Sequence, residues 1–394
     1  MKPERNSSNH FELLAELTLN PPSTEAASSN ENWVPDVSPK LRDVENRVVA
    51  SEETQLYSSR ATELISTLKK EDLENLKSLA MTNHVIVRAF HPLHKIFEAK
   101  GNIEAAEWTD DAIQQEHSRI DNALASLDLI CTALEEGGCP AMVIKSLDHW
   151  PDLGNDLDLY THADSSAVVN IMRARFNAHV EERSWGDRLA NKWNFSIPGL
   201  TEPVEVHIGR LGQTGEQIAL TRSLTGRARN LTFGQRSFRV AAPEDRIVIS
   251  TLQRMYRHFY MRLCDVMDNA QLVESGVVDF PYLRELGLRA GLWEGIATYL
   301  AIVSELVESY RGHGLLLPAF VPQAARFGSE QVSFRRDFLR VSIVPHSVHL
   351  YAAEFKKLLL DGDLKNSFRL SLLPCLATAA AIGQKVTGSD KGIW

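Results

Sequence analysis

Asp156 and Asp158 are the residues of this chain whose types and spacing most directly suggest chemistry. They lie in Gly154-Asn155-Asp156-Leu157-Asp158-Leu159-Tyr160, which reads as a short β-strand. Side chains two apart on a strand point the same way, so the two carboxylates share one face and Leu157 and Leu159 the other. Like charges held side by side repel, and a divalent cation between them relieves the repulsion. The same spacing also suits a solvated sheet edge, where acids block edge-to-edge pairing.

Other candidates flank this pair. Glu205 and His207, in Val204-Glu205-Val206-His207, share a face by the same rule. Glu205 reads as a third acid for a metal or as an acid on the wet side of a hairpin, and His207 as a ligand or as a hydrogen-bonded structural histidine. Lys145-Ser146 follows the apolar run Ala141-Met142-Val143-Ile144 and offers a cation and a hydroxyl, or is simply the polar end of a strand. Arg262 and Asp265, three apart, suit an ion pair on one helix or a place in a cleft. Arg183, Trp185, Arg188, Lys192 and Trp193 suit gripping a polyphosphate or packing a hairpin.

Hydrophobic periodicity gives the elements that must position these groups. Ile113, Ile120, Leu124, Leu127, Cys131 and Leu134 mark one face of a long helix that Gly137-Gly138 stops. Residues 141–144 form a buried strand, the carboxylate strand follows, and a helix over 165–175 turns Val168, Val169 and Met172 inward. The runs 192–197 and 204–208, separated by Pro198-Gly199-Leu200-Thr201-Glu202-Pro203, spell a hairpin. From Pro243 the chain is helical, with Val248, Leu252, Met255, Phe259, Leu263 and Val266 as one buried stripe. Further helices are expected after Asp279, around Ile296 to Leu306, and as a closing pair over about 345–384.

The expectation is an α+β fold in four parts. Residues 1–50, rich in Ser, Asn, Glu and Pro, read as a disordered arm. Residues 51–110 form an N-terminal helical segment, 111–240 an α/β core with a small mixed sheet, and 241–394 a C-terminal helical domain. A net charge of −9 disfavours broad attraction to nucleic acid or to an anionic membrane. No apolar tract is long enough to span a bilayer, and the polar N-terminus lacks the core of a secretory signal. The four cysteines are scattered without zinc-ligand spacing, which suits a reduced, cytoplasmic setting.

Taken in order, the strand ending in Lys145-Ser146, the Asp156/Asp158 strand ten residues on and the later acid at Glu205 resemble the nucleotidyltransferase superfamily. The chain is most similar to an uncharacterised bacterial nucleotidyltransferase family with a Lys-Gly turn, an Asp-x-Asp strand, a later acid-x-His strand and an Arg and Asp comparable to Arg262 and Asp265. Two departures stand out: the family's glycine is Ser146 here, and the loop 147–155 lacks the arginine that relatives often carry.

The resemblance implies a nucleotidyltransferase-type sheet that moves a nucleoside monophosphate from an NTP to an acceptor with release of pyrophosphate. Mg2+ or Mn2+ would be held by Asp156, Asp158 and Glu205, which are also the catalytic residues, with Lys145 and Ser146 on the nucleotide and His207, Arg262 and Asp265 around the cleft. The acceptor is open: a small molecule, a peptide or protein, or, less in keeping with the acidic balance, an RNA end. The alternatives are a catalytically degenerate module that binds a nucleotide or a protein, and a toxin-like nucleotidyltransferase that modifies a cellular target.

Overall fold

In the computed structural model the described residues are 3–20, 59–66, 68–342, 348–376 and 378–379. Among them, helices α1 (Pro3–Leu19), α2 (Ser59–Ser66), α3 (Lys70–Asn83), α4 (Ile86–Ala99) and α5 (Ile103–Glu136) come first. The sheet region follows as β1 (Ala141–Val143), β2 (Leu157–Thr161), α6 (Ser165–Phe176), β3 (His179–Val180), α7 (Trp185–Ala190), β4 (Lys192–Ser196), β5 (Val204–Ile208), α8 (Ile218–Arg227), β6 (Arg229–Phe233) and β7 (Arg236–Val240). The remainder comprises α9 (Pro243–Thr251), β8 (Tyr260–Met261), α10 (Leu263–Glu274), α11 (Phe280–Ala290), α12 (Trp293–Arg311), β9 (Val332–Arg335), β10 (Phe338–Val341), α13 (Val348–Leu360) and α14 (Leu364–Ser371). Helical regions thus flank a mixed sheet at both ends, an α+β fold.

Strand alternation decides which face of the sheet is apolar. The seven strands run in the order β3-β4-β5-β2-β1-β7-β6, with β2–β5 and β1–β7 parallel and the other pairs antiparallel. Leu157 and Leu159 of β2 and Val204 and Val206 of β5 face Leu127 and Leu134 of α5 and Val168 and Met172 of α6 in one core. The opposite face carries Asp158, Tyr160, Glu205 and His207. Tyr160 joins Met142, Ile144, Ile249 and Leu252 in a second core built largely from helices. The polar residues therefore lie between the sheet and the helices that follow it. β2 is flanked on both sides, so its Asp158 does not guard an edge.

Two segments depart from the sequence expectation. Pro3–Leu19, read as part of a disordered arm, forms α1, with Phe11, Leu13, Leu14 and Leu17 buried in the helical core. Composition averaged over 50 residues hides the apolar spacing of these last ten; residues 21–50 lie outside the described residues. The stripe from Val248 to Val266 is not one helix. It runs through α9, a π-helical turn at Leu252–His258, a left-handed Phe259 (φ 55°) and β8 before α10 begins. π-turns insert a residue into the helical ladder and often mark functional sites. Strands β8–β10 form a small separate sheet that no periodicity signalled. Among the described residues no helix is long and apolar enough to cross a membrane.

The start of α9 illustrates the electrostatics of this interior. Asp245 is fully buried, accepts a 2.5 Å hydrogen bond from the Ser223 hydroxyl through Oδ1, and has no hydrogen-bond partner for Oδ2. Burial pushes its carboxyl up to about 6, against the pull of Ser223 and Arg227. A folded value above the ordinary 3.8 means that Asp245 favours folding fully only below that pH, and that stability falls as pH rises from there toward 6. Asp245→Asn, a shape match for the protonated acid, is expected to raise the unfolding free energy by up to about 3 kcal/mol at pH 7 and to leave it unchanged near pH 4. Urea denaturation at the two pH values checks this, and an equal effect at both would contradict it.

Candidate active site

The parallel pairing of β2 with β5 sets Asp158 directly beside Glu205 and Tyr160 beside His207. The hairpin then places Lys192 of β4 beside His207 and Asn194 beside Glu205. One face of three adjacent strands therefore presents two carboxylates, an imidazole and an ammonium. Asp158, Lys192 and His207 are buried and Glu205 is nearly so. Lys145 reaches in from the turn after β1 on a left-handed backbone (φ 69°) that glycine adopts without strain and lysine does not.

The contacts form one network. Lys145 Nζ lies 2.5 Å from Asp158 Oδ1 and 3.8 Å from Glu205 Oε1. Lys192 Nζ lies 2.9 Å from Glu205 Oε2 and 3.0 Å from Asp187 Oδ1. His207 Nε2 is 2.7 Å from Glu205 Oε1 and 3.9 Å from Asp158 Oδ1. Burial pushes the Asp158 carboxyl well up, with Lys145 pulling it down and Asp156 and Glu205 pushing it further up. Burial opposes ionisation of Glu205 too, but Lys145, Lys192 and His207 together hold it well below the carboxylate range. Burial lowers His207, which leaves its ring neutral and able to offer a lone pair.

One donor atom from each of Asp158, Glu205 and His207 lies within 4.8 Å of the others, the spacing a single metal ion can bridge. Asp158 Oδ1 is already paired with the Lys145 ammonium, and the ring nitrogen that faces both carboxylates is His207 Nε2. Two carboxylates and a neutral imidazole suit a divalent cation, so the residues present fit the metal. Asp156 is not in this group. It precedes β2, is half-buried, and bears on Asp158 and Lys145 only through its charge.

Ser146 takes a different part from the one its position suggested. Its N–H donates to Ile144 O (2.8 Å), and its buried hydroxyl accepts from Asp158 N–H (2.7 Å) and donates to Asp156 O (3.2 Å). Both groups expected to greet a phosphate are thus engaged, the N–H in closing the turn on Ile144 and the hydroxyl in tying the turn to β2. Ser146→Ala would leave the Asp158 N–H buried and unpaired, an expected loss of about 1–3 kcal/mol by chemical denaturation. A loss below about 0.5 kcal/mol would remove Ser146 from this role.

Arg262 and Asp265 are not an ion pair with each other. The Arg262 N–H donates to Asp265 Oδ2 (2.7 Å) at the start of α10, while its guanidinium lies over Tyr260 and Phe338. The cation on Asp265 is the fully buried Arg254, 2.8 Å away on the π-turn. Asp265 reaches a small cavity that Lys145 also lines; Arg262 lines neither cavity beside Lys145. Arg183 stacks on Trp193 at 4.2 Å and donates to Asp187 O, so these two pack the hairpin.

The sequence did not mark Asp187, and it marked Lys192 as a candidate grip on a polyphosphate and not as the partner of Glu205. Their signal was the hairpin register, which sets Lys192 opposite His207. The loop without its own arginine is held by others: Arg88 donates to Trp150 O, Arg119 to Leu153 O and Gly154 O, and Arg246 pairs with Asp148 at 2.7 Å. A second buried cluster joins His149, Cys264 and Asp268, with His149 Nδ1 2.5 Å from Asp268 Oδ2 and Arg88 2.7 Å from Asp268 Oδ1.

A mixed sheet with acids on adjacent parallel strands, entered past a cationic turn and flanked by helices at both ends, defines a nucleotidyltransferase-type fold. The chain belongs to the uncharacterised nucleotidyltransferase family, whose model matches residues 69–308, more than half of the sequence. Membership supports nucleotidyl transfer as the general activity and an NTP as substrate. No curated protein matches the chain.

Proposed function

We propose that the protein is a Mg2+- or Mn2+-dependent enzyme that moves a nucleoside monophosphate from an NTP to an acceptor hydroxyl or phosphate. The observation that carries this is the register of Asp158 beside Glu205, with His207 within reach of both. Asp158, Glu205 and His207 hold the ion, and Asp156 is the remaining candidate ligand. Bound there, the ion supplies neutralisation of the charge that grows on the phosphate oxygens.

In the transfer, an acceptor oxygen forms a bond to the α-phosphorus, the bond from that phosphorus to the bridging oxygen breaks, and pyrophosphate leaves. Glu205, held ionised by two ammonium groups, is a poor proton acceptor and a good ligand. The proton of an acceptor hydroxyl would go to a carboxylate of this face that the ion does not engage, or to water. Lys145 lines a cavity of ≈ 50 Å³ with His207, Gln213, Gln253 and Arg257. That space takes an ion and its waters but not a whole nucleotide, so base and ribose lie at its mouth.

Incubation with each α-labelled NTP and Mg2+ or Mn2+, with candidate small-molecule, protein and RNA acceptors, tests the reading. Label transfer with pyrophosphate release is expected from at least one NTP. A catalytically degenerate module that binds a nucleotide or a protein is favoured by one observation, the engagement of both Ser146 groups with the protein itself. Tight NTP binding without transfer to any acceptor pool would select that second reading.

A further inference from the structure

We infer that Lys145 is an exchangeable internal cation: it occupies the position between Asp158 and Glu205 until a divalent ion enters, then moves to the cavity on its other side. The inference rests on the metal-site reading above. The Lys145 ammonium neutralises the same two carboxylates that would hold the ion, at 2.5 Å and 3.8 Å. A divalent ion and an ammonium cannot share those oxygens at such distances without strong repulsion. One of them must leave.

The neighbouring cavity offers Lys145 a second position. It is lined by Lys145 with Asp148, Asp265, Asp268 and Asn269, and also by Arg246 and His149, each already paired with one of those acids, and its volume is ≈ 20 Å³. About 10–15 Å³ of such space holds one water, so it accepts one ammonium group. Asp148, Asp265 and Asp268 already pair with Arg246, Arg254 and Arg88. Asn269 Oδ1, buried without a hydrogen-bond partner, is an acceptor not engaged by these pairs. The Asn269 side-chain NH2 is committed to Asp265 O (2.8 Å), the Tyr299 hydroxyl (2.9 Å) and Ser250 Oγ (3.3 Å), which turns the oxygen into a fixed acceptor. An orphaned buried acceptor costs free energy until a donor reaches it, and a displaced ammonium is such a donor.

The consequence is that metal affinity in the nucleotide-free protein is set by competition with Lys145. The test is Mn2+ titration of the full-length wild type, Lys145→Met and Asp158→Asn by calorimetry and electron paramagnetic resonance, without nucleotide. Lys145→Met keeps the length and removes the charge, and is expected to bind Mn2+ about tenfold or more tightly than wild type. On the wild type, Mn2+ is also expected to change the rate at which an amine-reactive reagent labels Lys145 by severalfold, read by peptide mass spectrometry. This keeps the inference testable if the variant fails to fold.

Wild-type binding that Asp158→Asn abolishes, combined with unchanged or weaker binding in Lys145→Met or with unchanged Lys145 labelling, would overturn the exchange and leave the metal site standing. Absence of Mn2+ binding in both wild type and Lys145→Met would overturn the metal site and the exchange together.

Discussion

Asp158→Asn is expected to abolish nucleotidyl transfer, with a loss of about 1,000-fold or more in kcat/KM, and to weaken Mn2+ binding by at least about 100-fold. Asp158 sits on the central β2 strand, 5% exposed, beside Glu205 and within 4.8 Å of the His207 donor atom. Replacing one oxygen with an amide removes a ligand and a charge at the point where the ion and the growing phosphate charge meet. A metal contributes several kcal/mol of transition-state stabilisation in sites of this kind, and each 1.36 kcal/mol is about tenfold in rate. Lys145 keeps Glu205 as a counter-charge, so the variant should remain folded, which circular dichroism and thermal melting would verify. Transfer at the wild-type rate by a folded Asp158→Asn protein would remove Asp158 from the reaction.

The second large effect concerns Arg254. It is among the largest fully buried side chains, and its Nε lies 2.8 Å from Asp265 Oδ2. The pair ties the π-turn to the first turn of α10, where Asp265 also accepts the Arg262 N–H. Arg254→Met leaves Asp265 buried without its cation, and breaking a buried pair from one side costs about 3–5 kcal/mol. Urea denaturation should show that loss, and adding Asp265→Asn should recover part of it, because the uncompensated charge is then gone. A loss under about 1 kcal/mol, or no recovery in the double variant, would show that the pair does not hold the two elements together.

The sequence made the local half of this site legible. Period-two alternation put Leu157 and Leu159 opposite Asp158, and Val204 and Val206 opposite Glu205, before any strand pairing was known. It could not say that β2 and β5 pair in parallel with those acids side by side, because pairing joins residues 47 positions apart. Asp156 shows the limit of the rule: alternation places it with Asp158, but the strand begins one residue later, at Leu157.

Ser146 was legible as a turn residue and not as the group that holds Asp158 N–H, since that bond depends on the return of the chain. Arg254, His149 and Asp268 gave no local signal at all. Their meaning comes from a π-turn that shifts helical phase and from contacts spanning more than a hundred residues. α1 was hidden differently, by the averaging of ten apolar-patterned residues with a long polar stretch.

The proposed activity turns on where a divalent ion binds. Mn2+ introduced into crystals of the full-length protein and located by its anomalous scattering is the most direct measurement. A peak is expected on the polar face of the sheet, within coordination distance of Asp158 and Glu205, with the Lys145 ammonium moved away from them. A well-measured map with no peak between Asp158 and Glu205, or with the ion bound only elsewhere, would contradict it.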